Sequence, residues 1–143
     1  MFGYCSIIWS PFLVKDITLL ESVLRRMTKL QPRLSNLTHS DRISACGHIG
    51  VFRRHERAAL MFYYKVLVCT QNFDFSYMFN LSPAIFNRGH TLKLRGSVSR
   101  LDCHKFSFSE RYINSWNALP CSVVQASSPL CFKRAMDLYL YQF

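Results

Sequence analysis

The chain has 143 residues, half of them hydrophobic and 18% charged, and its eighteen Lys and Arg against eight Asp and Glu leave a net charge of +10. That length suits one domain or two small ones and is enough to bury a core. The apolar fraction excludes intrinsic disorder, and scattered Gly and Pro, five of each, exclude a collagen-like chain.

A membrane span is not expected. The longest uncharged run, Tyr112 to Phe132, is broken by Asn114, Asn117, Pro120, Gln125 and Pro129. Met1 to Val14 lacks a basic leader and a clear small-residue cleavage site, so a signal peptide is not expected either. The cationic surplus favours a polyanion as partner, with a solvated basic face as the plain alternative. It is spread out: residues 1–72 hold ten basic and four acidic side chains, and residues 73–143 hold eight and four.

Cys5, Cys46, Cys69, Cys103, Cys121 and Cys131 are isolated, and no pair has the C-x-x-C spacing of a zinc or redox motif. Asn36-Leu37-Thr38 and Asn80-Leu81-Ser82 are formal glycosylation sequons, which leaves a secreted disulfide protein open on paper. A chain with this much core needs no staples, and reduced thiols in an intracellular protein, nuclear or cytoplasmic, are the expectation. No metal site and no cofactor is expected.

In chain order, Asp16 to Leu30 is the clearest helix. Ile17, Leu20, Leu24 and Met27 fall at steps of three and four, and Val23 and Leu30 widen the stripe. Asp16, or Thr18 with Glu21, would cap its start, and Pro32 stops it. A short helix from Ser40 to Cys46 follows the capping-box spacing of Thr38 and Asp41. A third covers about 52–68, although the aromatic, β-branched half from Met61 to Val68 also suits a strand.

Residues 70–87 read as irregular. His90 to Arg95 then alternates, with Leu92 and Leu94 on one face and Lys93 and Arg95 on the other. Gly96-Ser97 is a plausible hairpin turn, with a return strand from Val98 to Phe106. Helical spacing resumes near Ser109 through Tyr112, Ile113, Trp116 and Leu119. A last helix runs from Pro129 to Tyr141. The fold class is therefore mostly α with one β-hairpin, a small helical domain of about four to five helices. Two segments are expected: 1–87, helical, and 88–143, the basic hairpin plus C-terminal helices.

Catalytic apparatus is not evident. Five Asp and three Glu stand apart in sequence, and there is no phosphate-binding loop, nucleophile elbow or H-E-x-x-H.

The most distinctive pattern is Phe108, Arg111, Trp116, Asn117, Leu119 and Pro120, in the form F-x-x-R-x-x-x-x-W-N-x-L-P. It resembles the far C-terminal region of non-LTR (LINE-type, jockey-like) retrotransposon reverse transcriptases. Other segments agree in order. Ile8-Trp9-Ser10-Pro11 and the helix with Glu21 and Arg25-Arg26 look like the stretch after the polymerase palm. Leu34 to Arg42 is similar to an L-x-Y-x-E-R-L segment. Arg53-Arg54 with Tyr64-Lys65-Val66-Leu67 resembles an E-x-R-R…Y-K-I-L helix. Arg88-Gly89-His90 and Arg100 to Cys103 resemble the family's basic hairpin, and Ser127-Ser128 with Phe132-Lys133-Arg134 its ending.

The resemblance implies a C-terminal fragment of an RNA-directed DNA polymerase. The palm with its paired aspartates and Mg²⁺ would lie upstream, so the fragment itself would not be an enzyme. It would contribute contacts to RNA or DNA phosphates through Arg25, Arg26, Lys29, Arg53, Arg54, Arg57, Arg88, Lys93, Arg95, Arg100 and Lys105. Its partners would be nucleic acid and the absent polymerase domain, not a membrane. Phe108, Trp116 and Leu119 would be packing anchors. The L-x-L-x-x-L pattern is eroded around Cys46 to Gly50, and Arg57-Ala58-Ala59 departs from the family step before the Tyr-Lys helix. Those departures resemble a decayed or excised element copy. An inactive remnant and a host-adopted protein-interaction module are the alternatives.

Overall fold

The computed structural model describes residues 5–46, 50–70, 74–83 and 89–140. It is a mostly α structure with one antiparallel pair of strands. The chain forms two compact units, 1–58 and 59–143. The junction expected at 87/88 falls on residues outside the described ones, as does Arg88.

In the first unit, α1 (Ser6–Trp9) is a single turn and α2 (Val14–Lys29) is the long helix. α2 starts two residues before its expected beginning, after an extended Leu13. Arg26 and Lys29 lie in the last turn, where cations complement the helix dipole, whereas in the first turn Asp16 is offset by Lys15 beside it. The expected capping by Thr18 and Glu21 is not what forms. The Thr18 hydroxyl donates back to the Val14 carbonyl at 2.8 Å. Glu21 Oε1 instead accepts from the Val51 N–H at 2.6 Å, at the start of α4 (Val51–Tyr64). A carboxylate from a distant helix thus satisfies an orphan donor at that N-terminus. Gly50 permits the approach, because a Cβ there would stand 3.0 Å from the same oxygen.

A 3₁₀ turn (Pro32–Leu34) leads to α3 (His39–Ala45). Thr38 caps α3 by accepting from the Asp41 N–H at 3.3 Å and donating to the Asp41 carboxylate at 2.6 Å, the expected capping pair. α3 packs on α2. Arg42 is buried in this packing. Its guanidinium donates to Thr28 Oγ1 at 3.4 Å and to the Leu37 carbonyl. Ser10 Oγ meets His55 Nδ1 at 3.0 Å, both groups buried, and the Trp9 ring stands edge-on to His55.

The division between units falls inside α4, after Ala58. From Met61 the chain stays helical, and the strand alternative is not taken. Lys65–Cys69 continues α4 as a wider π turn. Tyr63 and Tyr64 explain the choice: as helix residues they reach the core of the second unit side by side. Tyr64 stacks on Phe132 with ring centroids 4.2 Å apart, and Tyr63 packs edge-on to Phe79 at 4.7 Å. The Tyr63 hydroxyl donates to the Phe108 carbonyl at 3.0 Å and the Tyr64 hydroxyl to that of Ala126. Burial pushes the Tyr63 phenol well above its usual range.

The strand pairing differs from the expected hairpin. β2 (Leu94–Arg95) pairs with β1 (Asn80–Leu81), in the register Asn80↔Arg95 and Leu81↔Leu94. Ser82 N–H extends the pairing to the Lys93 carbonyl at 2.8 Å. No return strand forms from Val98 to Phe106. Gly96-Ser97 is held by Glu110, whose carboxylate accepts from Ser97 N–H and Ser97 Oγ, each at 2.9 Å. Val98 and Leu101 are exposed, and Asp102–Lys105 is a helical turn, α5.

The rest of the second unit is helical: α6 (Phe108–Arg111), α7 (Ile113–Ala118), α8 (Cys121–Val124) and α9 (Pro129–Leu140). Ser128 starts α9, with Oγ accepting from Cys131 N–H at 3.2 Å and Pro129 in the first turn. Of the α-helices among the described residues, α2, α3, α4, α7 and α9 run six residues or longer, in keeping with the four to five expected. The others are single turns.

His90 lies buried against Trp116. Its Nε2 faces the Trp116 carbonyl at 3.2 Å. A carbonyl only accepts, so Nε2 carries the proton in the neutral ring. Nδ1 then has no hydrogen-bond partner among the described residues. Burial lowers the imidazole's affinity for a second proton; the Trp116 hydrogen bond opposes this and nearby Lys93 adds to it. The unfolded chain therefore takes up a proton before the folded one does, and stability falls as pH drops through about 6.5, the ordinary histidine value. Denaturant midpoints measured at pH 7.5 and 5.5 should fall on the acid side, and fall less in His90→Leu. An equal acid loss in both proteins would show that His90 is not the group responsible.

Candidate nucleic-acid interface

The cations expected to meet phosphate are not gathered on one ribbon. In the first unit, Arg25, Arg26 and Lys29 are exposed on the last turns of α2, and Arg33 is exposed in the 3₁₀ turn that follows. Cations collect there because the C-terminal end of a helix favours positive charge. Arg53 is exposed on α4 and Arg54 and Arg57 are half-buried there, and all three are engaged in interactions.

In the second unit no two-stranded basic ribbon of 90–95 and 98–105 carries Lys93, Arg95, Arg100 and Lys105, and Arg88 lies outside the described residues. Arg95 is exposed on β2, Lys93 is half-buried just before it, and Arg100 is exposed in the loop. Lys105 ends α5, with Nζ 5.4 Å from the centre of the Phe106 ring. Residues 98–105 do not pair with 90–95 as a return strand; His104 Nδ1 instead approaches Ser97 Oγ at 3.4 Å. Lys133 and Arg134, exposed on α9, were not among the expected contacts. Their signal was an adjacent basic pair beyond the apolar positions of the last helix.

The tryptophan motif is a clamp on the polypeptide itself. Trp116 is 0% exposed, and its Nε1–H donates to the Leu92 carbonyl at 2.7 Å. Asn117 binds Leu94 twice: Oδ1 accepts from the Leu94 N–H at 2.9 Å, and Nδ2 donates to the Leu94 carbonyl at 2.8 Å. Asn117 thus satisfies both backbone groups of Leu94, the β2 residue that stands opposite Leu81 of β1, and Trp116 satisfies the Leu92 carbonyl two residues before β2. Phe108 packs edge-on to Phe62 and Tyr63, and Leu119 is buried. Pro120 precedes α8 as its cap residue. The Arg111 guanidinium donates twice to the Phe106 carbonyl, at 3.2 and 2.8 Å, and lies over the Tyr112 ring. None of Trp116, Asn117 and Leu119 is displayed to a base.

Among the described residues no three His, Cys, Asp or Glu side chains are grouped as a metal ion would need. No helix among them is long and apolar enough to cross a membrane. In comparisons with protein-family models, curated proteins and solved structures, nothing matches this chain.

Proposed function

We propose that the chain is a C-terminal fragment of a LINE-type reverse transcriptase that holds RNA or DNA by its phosphates and carries out no polymerisation by itself. What supports the family reading is the ordered series of segments that ends in W-N-x-L-P. What carries the binding reading is the exposed cationic end of α2, with Arg25, Arg26, Lys29 and then Arg33. Flexible, solvated cations of this kind suit phosphate contact, which positions a strand without reading its sequence. The setting of such a fragment is intracellular, beside the polymerase domain.

Binding of labelled single-stranded RNA and duplex DNA, followed by anisotropy over a salt series, tests the reading. Affinity should fall steeply with salt and depend little on sequence. Each phosphate contact removed should flatten the log–log slope by about 0.7–0.9. Replacing Arg25, Arg26 and Lys29 by Ala should therefore lower the slope by about two to three units, and replacing Arg95 and Arg100 by a smaller amount. Absence of binding at low salt, or slopes unmoved by both variants, favours the inactive remnant.

A further inference from the structure

The first unit keeps an unusual share of its apolar surface outside. Its buried residues, among those described, are Leu24 and Val51 with the polar Ser6, Ser10, Thr28, Arg42 and His55. A unit built this way gains little from its own hydrophobic interior. Meanwhile α2 is apolar on two sides. Leu24 and Thr28 face inward. Leu19, Val23, Met27 and Leu30 recur at steps of four, four and three, so they share another face. They are 64, 42, 57 and 82% exposed. Beside them lies a groove of about 580 Å³, whose lining includes Trp9, Pro11, Leu19, Leu20, Val23 and Arg26. A contiguous apolar stripe next to a groove marks an interaction site more than a solvated surface.

Charge says what would fit. Lys15, Arg25, Arg26 and Lys29 are exposed on α2, and Arg33 just beyond it. Of its two acids, Asp16 is half-buried in the groove lining and Glu21 is held by the Val51 N–H. A second copy of α2 would bring these cations against each other. A flat lipid surface would leave the groove unfilled. We propose that this face of α2 and its groove dock an amphipathic helix of a partner protein, one whose apolar stripe is flanked by Asp and Glu. The mode is helix-in-groove, with apolar anchors at three- and four-residue steps and complementary charges setting the choice of partner.

The proposal does not depend on nucleic-acid binding, and the two are separable. Trp9 lines the groove while Trp116 is buried in the second unit, so a change in tryptophan emission on titration reports on Trp9. The probe is a synthetic amphipathic peptide of about four helical turns, with Leu at i, i+4, i+7 and i+11 and Glu on both flanks. A matched peptide with Lys in place of Glu is the control. The full chain should bind the Glu peptide saturably and the Lys peptide about tenfold more weakly or worse. The double variant Leu19→Ser, Val23→Ser should weaken binding by roughly tenfold or more, with its far-UV circular dichroism unchanged. Leu138→Ser, an exposed leucine on α9, should bind as the parent does. Because the double variant keeps every charge, its salt slope for RNA should equal the parent's. Equal affinity for both peptides, no saturation, or indifference to the double variant would overturn the proposal. So would a Trp9 response to phosphatidylserine vesicles with none to the peptide, or a dimer in sedimentation that the double variant abolishes.

Discussion

Trp116→Ala should unfold the second unit or leave it marginal. The indole is wholly buried, with Phe132 and Tyr63 rings about 6 Å away, at 6.1 and 5.9 Å between centroids. Truncating a buried aromatic of this size costs roughly 3–5 kcal/mol, in lost transfer energy and the cavity left behind. The Leu92 carbonyl also loses the Nε1–H donor at 2.7 Å. A whole domain has only about 5–15 kcal/mol to lose. Urea unfolding should show a midpoint lowered by about a fifth or more of its value, down to no folded baseline at all. Trp116→Phe separates the two losses: it keeps most of the ring volume, gives up the hydrogen bond, and should cost less than half as much. A folded Trp116→Ala protein that had lost only RNA binding would contradict the packing role.

Asn117→Ala should be the second large effect, although it removes only three heavy atoms. The carboxamide meets both the N–H and the C=O of Leu94, in a partly buried setting. Without it two backbone groups lose their partners, each at a cost of about 1–3 kcal/mol if water cannot replace them. The loss would be local first, because Leu94 is one of two residues in β2. Hydrogen exchange should therefore accelerate at the Leu94 amide before the rest of the unit opens. Asn117→Asp is the sharper variant. It keeps an acceptor for the Leu94 N–H but sets a carboxylate oxygen against the Leu94 carbonyl in place of a donor. It should destabilise the protein at neutral pH, and its deficit relative to the parent at the same pH should shrink towards pH 4, as the acid takes up a proton and donates again. Stability equal to the parent's at neutral pH would mean that the clamp contributes nothing.

The sequence by itself determined the elements whose pattern is local. The periods behind α2 and α9, the Thr38–Asp41 cap and Pro129 at the start of α9 each depend on residues within a few positions of one another. Their existence, extent and caps follow from the helix repeat and from neighbouring residues, so they were legible. The alternation of 90–95 was legible too: His90 and Leu94 are buried and Arg95 is exposed.

What the sequence did not carry was the partner of each pattern. The strand 94–95 chose 80–81 over 98–106, because Glu110 holds Gly96-Ser97 from a position thirteen residues further on. The motif W-N-x-L-P announced an anchor, but its use of Asn117 as a backbone clamp depends on a strand twenty-three residues away. Glu21 looked like a cap for its own helix and became one for another, thirty residues on. On α2, Met27 and Val23 shared an apolar stripe with Leu24, yet only Leu24 of the three is buried. A helix apolar over so wide an arc does not say which part of the arc turns inward; the elements packed against it decide that. The basic residues were countable from the start, but their arrangement in space waited on the strand pairing, and that is a choice made by tertiary contacts rather than by propensity.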